Sequence, residues 1–236
     1  FKIFLNLANL IIVNSFDLKK DLNTRFKINS SCIYNPLNKK EILKKSKIRI
    51  NNRLFRNKKS LKIINIGSFI NQKDQITLLK SINLIKNKIT LELILIGKGP
   101  NKKMIINYIK ENNLDKNVKI LGFQSNPYKF IKKSDLFILS SIFEGLPNVL
   151  LEAQCLKKFI ISSNCPTGPR EILLNGKAGF LFKINDEYDL SRKIIRYFNK
   201  RKTLSEKVKI GYQNLHRFDA KKNLEKYFFV ITKFIN

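Results

Sequence analysis

The sequence predicts an α/β fold, a Rossmann-like, doubly wound parallel sheet. Three observations carry that reading. From Leu61 onward, short apolar runs alternate with helical patterns. Such alternation argues for a parallel sheet covered on both faces. The apolar runs are almost unbroken Ile, Leu, Val and Phe, as strands buried on both faces are. Five of them end in Gly, Ser or a short polar turn, and in such sheets ligands sit outside the carboxyl ends of the strands.

In chain order, residues 1–35 read as helix, strand, helix, strand. Leu10-Ile11-Ile12-Val13 is a short buried strand, Ser15 caps a helix over 17–26, and a strand over 31–34 is broken by Asn35-Pro36. Between Lys39 and Lys59 there are ten Lys/Arg and a single acid, Glu41. Residues 36–60 therefore read as a basic connector, solvated and mobile, helical only at its start.

The next unit opens with a strand over 61–67 ending in Gly67-Ser68. Asn71-Gln72-Lys73-Asp74 then leads a helix with Ile76, Leu78, Leu79, Ile82 and Ile85 at helical spacing. A strand over 91–96 ends in Gly97-Lys98-Gly99-Pro100, and one over 118–121 in Gly122-Phe123-Gln124. A further strand spans 135–139, and the last 159–162. After Phe182 only helices are expected. The final one, over 219–234, carries Leu224, Tyr227, Phe228, Ile231 and Phe234 as one apolar stripe.

The chain of 236 residues carries 47 basic and 17 acidic residues, a formal charge of +30. That excess fits a nucleic-acid or anionic membrane-surface binder without catalysis, which is the alternative function. The basic residues are spread over every segment, however, and Lys, Asn and Ile are all heavily used, as an AT-rich coding sequence gives. Phe123, Phe130, Phe137 and Phe143 lie on or beside apolar strands and read as core rather than as base-stacking platforms, so no specific nucleic-acid partner is expected. Cys32, Cys155 and Cys165 have no metal-ligand spacing, and their odd number suits a reducing compartment. No run of 18 apolar residues occurs. A dinucleotide-binding module is disfavoured, because Gly97-Lys98-Gly99 lacks a third glycine and no acid follows at the ribose distance. The chain starts with Phe1 in mid-pattern and reads as a fragment.

The stretch 139–182 carries the chemistry. After the strand come Ser140-Ser141, then Glu144-Gly145-Leu146-Pro147-Asn148, and a helical run to about Leu156. Pro147 suits a first helical turn. The free N–H groups of Asn148 and Val149 then point out of the helix end, which attracts phosphate or sugar oxygens. Glu144 lies ahead of that end and Glu152 more than a turn inside, so a ligand across it meets an acid on each side. Lys73, Gly97, Phe123, Glu144 and Gly168 all follow strand ends and can share one cleft.

Ser141, Glu144, Gly145, Pro147, Asn148, Val149, Glu152 and Ala153, followed by Gly168-Pro169-Arg170-Glu171-Ile172-Leu173 and Asn175-Gly176…Gly179, resemble the retaining glycosyltransferases of family 4, which have the GT-B fold. The resemblance implies a C-terminal, donor-binding half. It implies a remnant of an N-terminal acceptor domain at 1–35, a connector at 36–60, a donor domain at 61–217 and a helix at 218–236 crossing back. It makes Glu144 the catalytic-site acid at the donor sugar and places Glu152 on the ribose. Lys73 meets the diphosphate, and the Phe123-Gln124 loop holds the base. Gly67, Ser68 and Gly97 line the donor site, with backbone groups of Gly145, Leu146, Asn148 and Val149. The donor is a nucleotide-diphosphate sugar, UDP-linked by expectation, and the product a hexosyl group on a cell-surface glycan or lipid-linked acceptor. No cofactor or metal is implied, since Lys73 and the helix end can neutralise the diphosphate. The implied location is cytoplasmic, with a peripheral position at the inner face of the plasma membrane as a second option. The fragment is expected to bind donor and hardly turn over, because the acceptor side is not in the sequence. Two departures stand out. Ser68 occupies a place where the family often has Arg, and Lys157 and Phe159 replace the usual Gly and Pro. The single histidine, His216, reads as structural or exposed.

Overall fold

The structure, a computed structural model, describes residues 5, 7–50, 54–55, 57 and 59–233. Its centre is a six-stranded, all-parallel sheet of β3 (Leu61–Ile66), β4 (Leu91–Ile96), β5 (Val118–Gly122), β6 (Leu136–Leu139), β7 (Phe159–Ser163) and β8 (Phe180–Phe182). Their order across the sheet is β5-β4-β3-β6-β7-β8. The chain therefore winds outward from β3 in one direction, crosses back, and winds outward from β6 in the other. The α/β, doubly wound class is as expected. β8 is an addition: three residues, Phe180-Leu181-Phe182, are too short to stand out as a strand, yet they pair with β7.

Strand side chains alternate between faces, and here each face feeds its own core. Ile63, Leu93, Leu95, Leu136, Ile138 and Ile161 pack on one side, with Leu78, Leu79 and Ile82 of α3 (Gln75–Ile85), Ile105 of α4 (Lys102–Glu111) and Ile194 of α8 (Glu187–Lys200). Ile64, Ile94, Ile96, Phe137, Leu139 and Ile160 pack on the other. There they meet Phe130 and Ile131 of α5 (Tyr128–Lys133), Leu150 and Leu151 of α6 (Asn148–Cys155) and Ile172 of α7 (Pro169–Ile172). Burial on both faces is why these strands are mostly apolar.

The N-terminal part is a small βαβ unit. β1 (Ile12–Val13) pairs in parallel with β2 (Ser31–Cys32) across α1 (Phe16–Phe26), around a minor core of Val13, Leu22 and Ile28. Ser15 caps α1 as expected, its hydroxyl accepting the Leu18 amide hydrogen at 3.1 Å. The helix expected ahead of Leu10 falls largely outside the described residues.

The connector corrects the sequence reading. Its first part is not a mobile, solvated link. α2 (Lys39–Ser46) is docked on the sheet domain, with Leu37 and Ile42 buried in the second core. Leu37 also donates its amide hydrogen to the Phe218 carbonyl, beside α9 (Ser205–Gln213) and the 3-10 turn Asn214–Phe218. Asn38 caps α2 by accepting the Glu41 amide hydrogen.

The last helix, α10 (Ala220–Thr232), returns toward the βαβ unit, and Tyr227 donates its hydroxyl hydrogen to the Ile33 carbonyl at 3.3 Å. Its apolar stripe is not a buried seam: Leu224, Phe228 and Ile231 are exposed, and Phe234 lies outside the described residues. Phe123 and Phe143 are likewise exposed rather than core, because each follows a strand end instead of lying within the strand, whereas Phe130 and Phe137 are buried.

Candidate functional site

The winding reverses between β3 and β6, and at such a switch point the two flanking loops diverge and leave a crevice. The loop after β3 carries Gly67, Ser68 and Lys73; the loop after β6 carries Ser140, Ser141 and Glu144. Backbone and side chain stitch the two together. Ile142 donates its amide hydrogen to the Gln72 carbonyl at 2.8 Å, and the Gln72 amide group donates to the Phe143 carbonyl at 2.8 Å. Ser140 donates its hydroxyl hydrogen to the Lys73 carbonyl at 2.9 Å.

Across this seam the Lys73 ammonium meets the Glu144 carboxylate at 2.6 Å, with Glu144 almost fully covered. Ser141 donates to the same carboxylate oxygen, also at 2.6 Å. Thr167, from the turn after β7, donates its hydroxyl to the Glu144 carbonyl. Contrary to the expectation from sequence, Lys73 does not open its helix. It ends a 3-10 turn, Asn71–Lys73, and the left-handed Asp74 caps α3 instead, accepting the Thr77 amide hydrogen. That extra turn aims the lysine across the seam. Its stem lies along Gly67, where an added Cβ would sit 3.6 Å from it.

Two glycines make the crevice floor possible. A Cβ on Gly97 would stand 1.9 Å from the Gly67 carbonyl oxygen. One on Gly168, whose φ is +84°, would stand 2.1 Å from the Gly145 carbonyl oxygen. The ends of β3 and β4, and the loops after β6 and β7, thus touch backbone to backbone.

Pro147 is the cap residue of α6, and the helix itself begins at Asn148. No side chain caps the end, so the first amide groups are open to a ligand. Leu146 is buried in the second core, so only its backbone can face the crevice, while Gly145 and Asn148 are exposed. Asn148 accepts a hydrogen bond from the Asn35 side chain at 3.0 Å, and the Asn14 amide lies against Gly145. The N-terminal unit thereby forms the opposite wall.

Glu152 has a separate partner. The Tyr128 hydroxyl of α5 lies 3.5 Å from its carboxylate. Burial pushes the Glu152 carboxyl above its usual range, with the Tyr128 hydrogen bond opposing. Tyr128 is itself pushed up to about 12, by burial first and then by the Glu152 charge. On the next strand ends, Phe123 presents an exposed ring and Gln124 turns back to donate to the Leu121 carbonyl at 3.1 Å.

Lys73, Glu144, Gly67, Gly97 and the α6 end are thus brought together at the switch point, with Ser68 exposed beside them. Four contributors were not singled out from sequence as site residues: Ser141, Thr167, Tyr128 and Asn14. Ser141 and Thr167 were visible inside the motif region. Tyr128 and Asn14 carry no local signal, since only the fold sets them beside Glu152 and Gly145.

A doubly wound parallel sheet whose charged groups gather at the switch point is the build of a ligand-binding α/β domain. Residues 46–214 match the family described as Glycosyl transferases group 1, and the chain belongs to that family. It is 38% identical over 178 residues to an uncharacterized glycosyltransferase of Methanocaldococcus jannaschii, covering 73% of this chain and 44% of that protein. It is 31% identical over 106 residues to a Campylobacter jejuni N-acetylgalactosamine-N,N'-diacetylbacillosaminyl-diphospho-undecaprenol 4-alpha-N-acetylgalactosaminyltransferase, covering 44% of this chain and 27% of that protein. In fold it is similar to Anabaena HepE in complex with UDP-glucose, with a TM-score of 0.83 at 18% identity, over 98% of this chain and 68% of that one. The chain therefore spans less than half the length of these curated relatives.

Proposed function

We propose that residues 61–217 form the donor-binding domain of a retaining glycosyltransferase of the family-4 type that uses a nucleotide-diphosphate sugar. The observation that carries this reading is the Lys73–Glu144 pair, which spans the switch point beside the open end of α6. In this assignment the diphosphate lies over the α6 amide groups with Lys73 as its cation. Glu144 faces the sugar, Glu152 accepts from the ribose diol and Phe123 stacks the base. The bond from the anomeric carbon to the diphosphate oxygen breaks, and an acceptor hydroxyl oxygen bonds to that carbon on the same face. The hydroxyl proton leaves with the diphosphate. In this reading Lys73 and the α6 end both bring positive charge to the diphosphate, and no metal is assigned to the site.

The HepE complex with UDP-glucose supports a UDP-hexose donor. The undecaprenol-linked substrate named for the Campylobacter relative supports a glycan or lipid-linked acceptor. We assign residues 1–35 to the acceptor-side domain, 36–60 to the connector and 218–236 to the returning helix. This chain by itself is expected to bind donor with little turnover. A cytoplasmic enzyme that meets its acceptor at the inner membrane face is the setting this reading implies.

Calorimetry with UDP and UDP-glucose tests the proposal. Saturable binding of one molecule per chain is the expected result. No saturable binding, with polyanion binding that collapses steeply with salt, would instead establish the basic surface-binding alternative.

A further inference from the structure

We infer that Lys98 is the second cation for the donor diphosphate, a role that rests on the donor-site reading above. A diphosphate carries more than one negative charge, and the site as described is poor in free positive charge. Lys73 is already paired with Glu144 at 2.6 Å, and Ser68, at the end of β3, is exposed and uncharged.

Lys98 stands at the neighbouring strand end. Its carbonyl accepts the Phe69 amide hydrogen at 2.9 Å, which fixes its backbone directly beside Ser68. The contact of Gly97 with the Gly67 carbonyl holds the two strand ends together, so the Lys98 stem starts from the rim of the same crevice. Among the described residues its ammonium has no carboxylate partner. It rests over the Phe123 ring, 5.2 Å from the centroid, and that ring is 65% exposed. An ammonium held only by an exposed aromatic face gives way readily to a phosphate oxygen, because a charge-assisted hydrogen bond is the stronger contact. The flexible four-carbon stem permits the swing. When a base stacks on Phe123, Lys98 leaves the ring and turns toward the phosphates. One residue thereby clears the base platform and supplies the charge that Ser68 lacks.

The test is calorimetry on this chain with UDP and with uridine, comparing the parent with Lys98→Ala, Lys98→Arg and the double variant Lys98→Ala/Ser68→Arg. Lys98 is exposed, so folding is not at stake. Lys98→Ala is expected to weaken UDP about tenfold, the scale of one charged phosphate contact, and not to weaken uridine, which no longer has to displace the ammonium from the Phe123 ring. It should also flatten the salt dependence of UDP binding. Lys98→Arg should retain UDP affinity, and adding Ser68→Arg to Lys98→Ala should restore it. Unchanged UDP affinity in Lys98→Ala would overturn the inference while leaving the donor site standing. So would equal losses for UDP and uridine, which would place Lys98 on the base. A parent that binds neither ligand would sink the donor-site reading itself, and this role with it.

Discussion

Lys73 and Glu144 lie 71 residues apart in sequence and make a 2.6 Å ion pair across the crevice where the sheet changes direction. Each neutralises the other until a ligand divides them. On the donor reading, the lysine turns to phosphate and the carboxylate to the sugar. Glu144→Gln is therefore expected to weaken UDP-glucose more than UDP, since the sugar contact is the one it removes. Lys73→Met should weaken both ligands by about 1–3 kcal/mol, the worth of a charged hydrogen bond. Calorimetry with the two ligands separates the roles; equal losses of UDP and UDP-glucose in Glu144→Gln would remove the sugar assignment.

Glu152 gives a pH handle. Burial holds its carboxyl above the usual range. A ribose diol needs the ionised form as acceptor. UDP affinity should therefore fall as pH drops through that raised value, at a pH where ordinary surface glutamates remain charged. Glu152→Gln should bind UDP more weakly at pH 7 and lose this pH dependence. An unchanged pH profile in the variant would show that another group titrates.

The strands and the glutamate motif were legible because local pattern encodes both. Unbroken Ile/Leu runs announce buried parallel strands, and the order Glu144 to Glu152 lies within one loop and helix. What escaped depended on distant partners. The connector looked solvated because two buried residues, Leu37 and Ile42, are outnumbered by lysines, and only the folded surface beneath them makes them core. Phe123 looked like core because apolar type alone does not report that a residue lies one step past a strand end. Lys73 looked like a helix start because the left-handed Asp74 that separates it from α3 has no sequence signature stronger than Asp itself.

Glu171 ties the N-terminal unit to the sheet domain. Its carboxylate accepts the Phe16 amide hydrogen at 2.9 Å and the Asp17 amide hydrogen at 3.3 Å, placing an anion at the positive end of α1. The Tyr34 hydroxyl donates to the same carboxylate, and Arg217 donates to the Glu171 carbonyl at 3.0 Å. Glu171→Ala is expected to cost about 1–3 kcal/mol and to raise hydrogen exchange at Phe16 and Asp17 selectively. Unchanged protection at those amides, with the helices of the sheet domain as internal reference, would show that Glu171 does not hold the two parts together.

Lys158 supplies the last prediction, on stability. Its ammonium donates to the Lys132 and Ser134 carbonyls, both at 2.7 Å, at the end of α5. Burial is the main cause that lowers its pKa from 10.5 to about 8, with Asp135 opposing and Lys132 and Lys62 adding to the depression. Below about pH 8 the group is charged in both folded and unfolded chains, and the full cost of burying that charge is present. Between about 8 and 10.5 the unfolded chain binds the proton that the folded chain has lost, so this contribution to stability rises with pH. Cys165, pushed up to about 11, and Tyr197, pushed up to about 12, act in the opposite sense at high pH, so the raw profile mixes signs. The difference between the parent and Lys158→Met cancels those shared contributions. Urea midpoints should show the parent gaining on the variant by about 1–2 kcal/mol from pH 7.5 to 9.5, the scale of one pKa unit or a little more. A constant difference across that range would mean that the ammonium keeps its proton in the folded chain, its two carbonyl bonds outweighing burial.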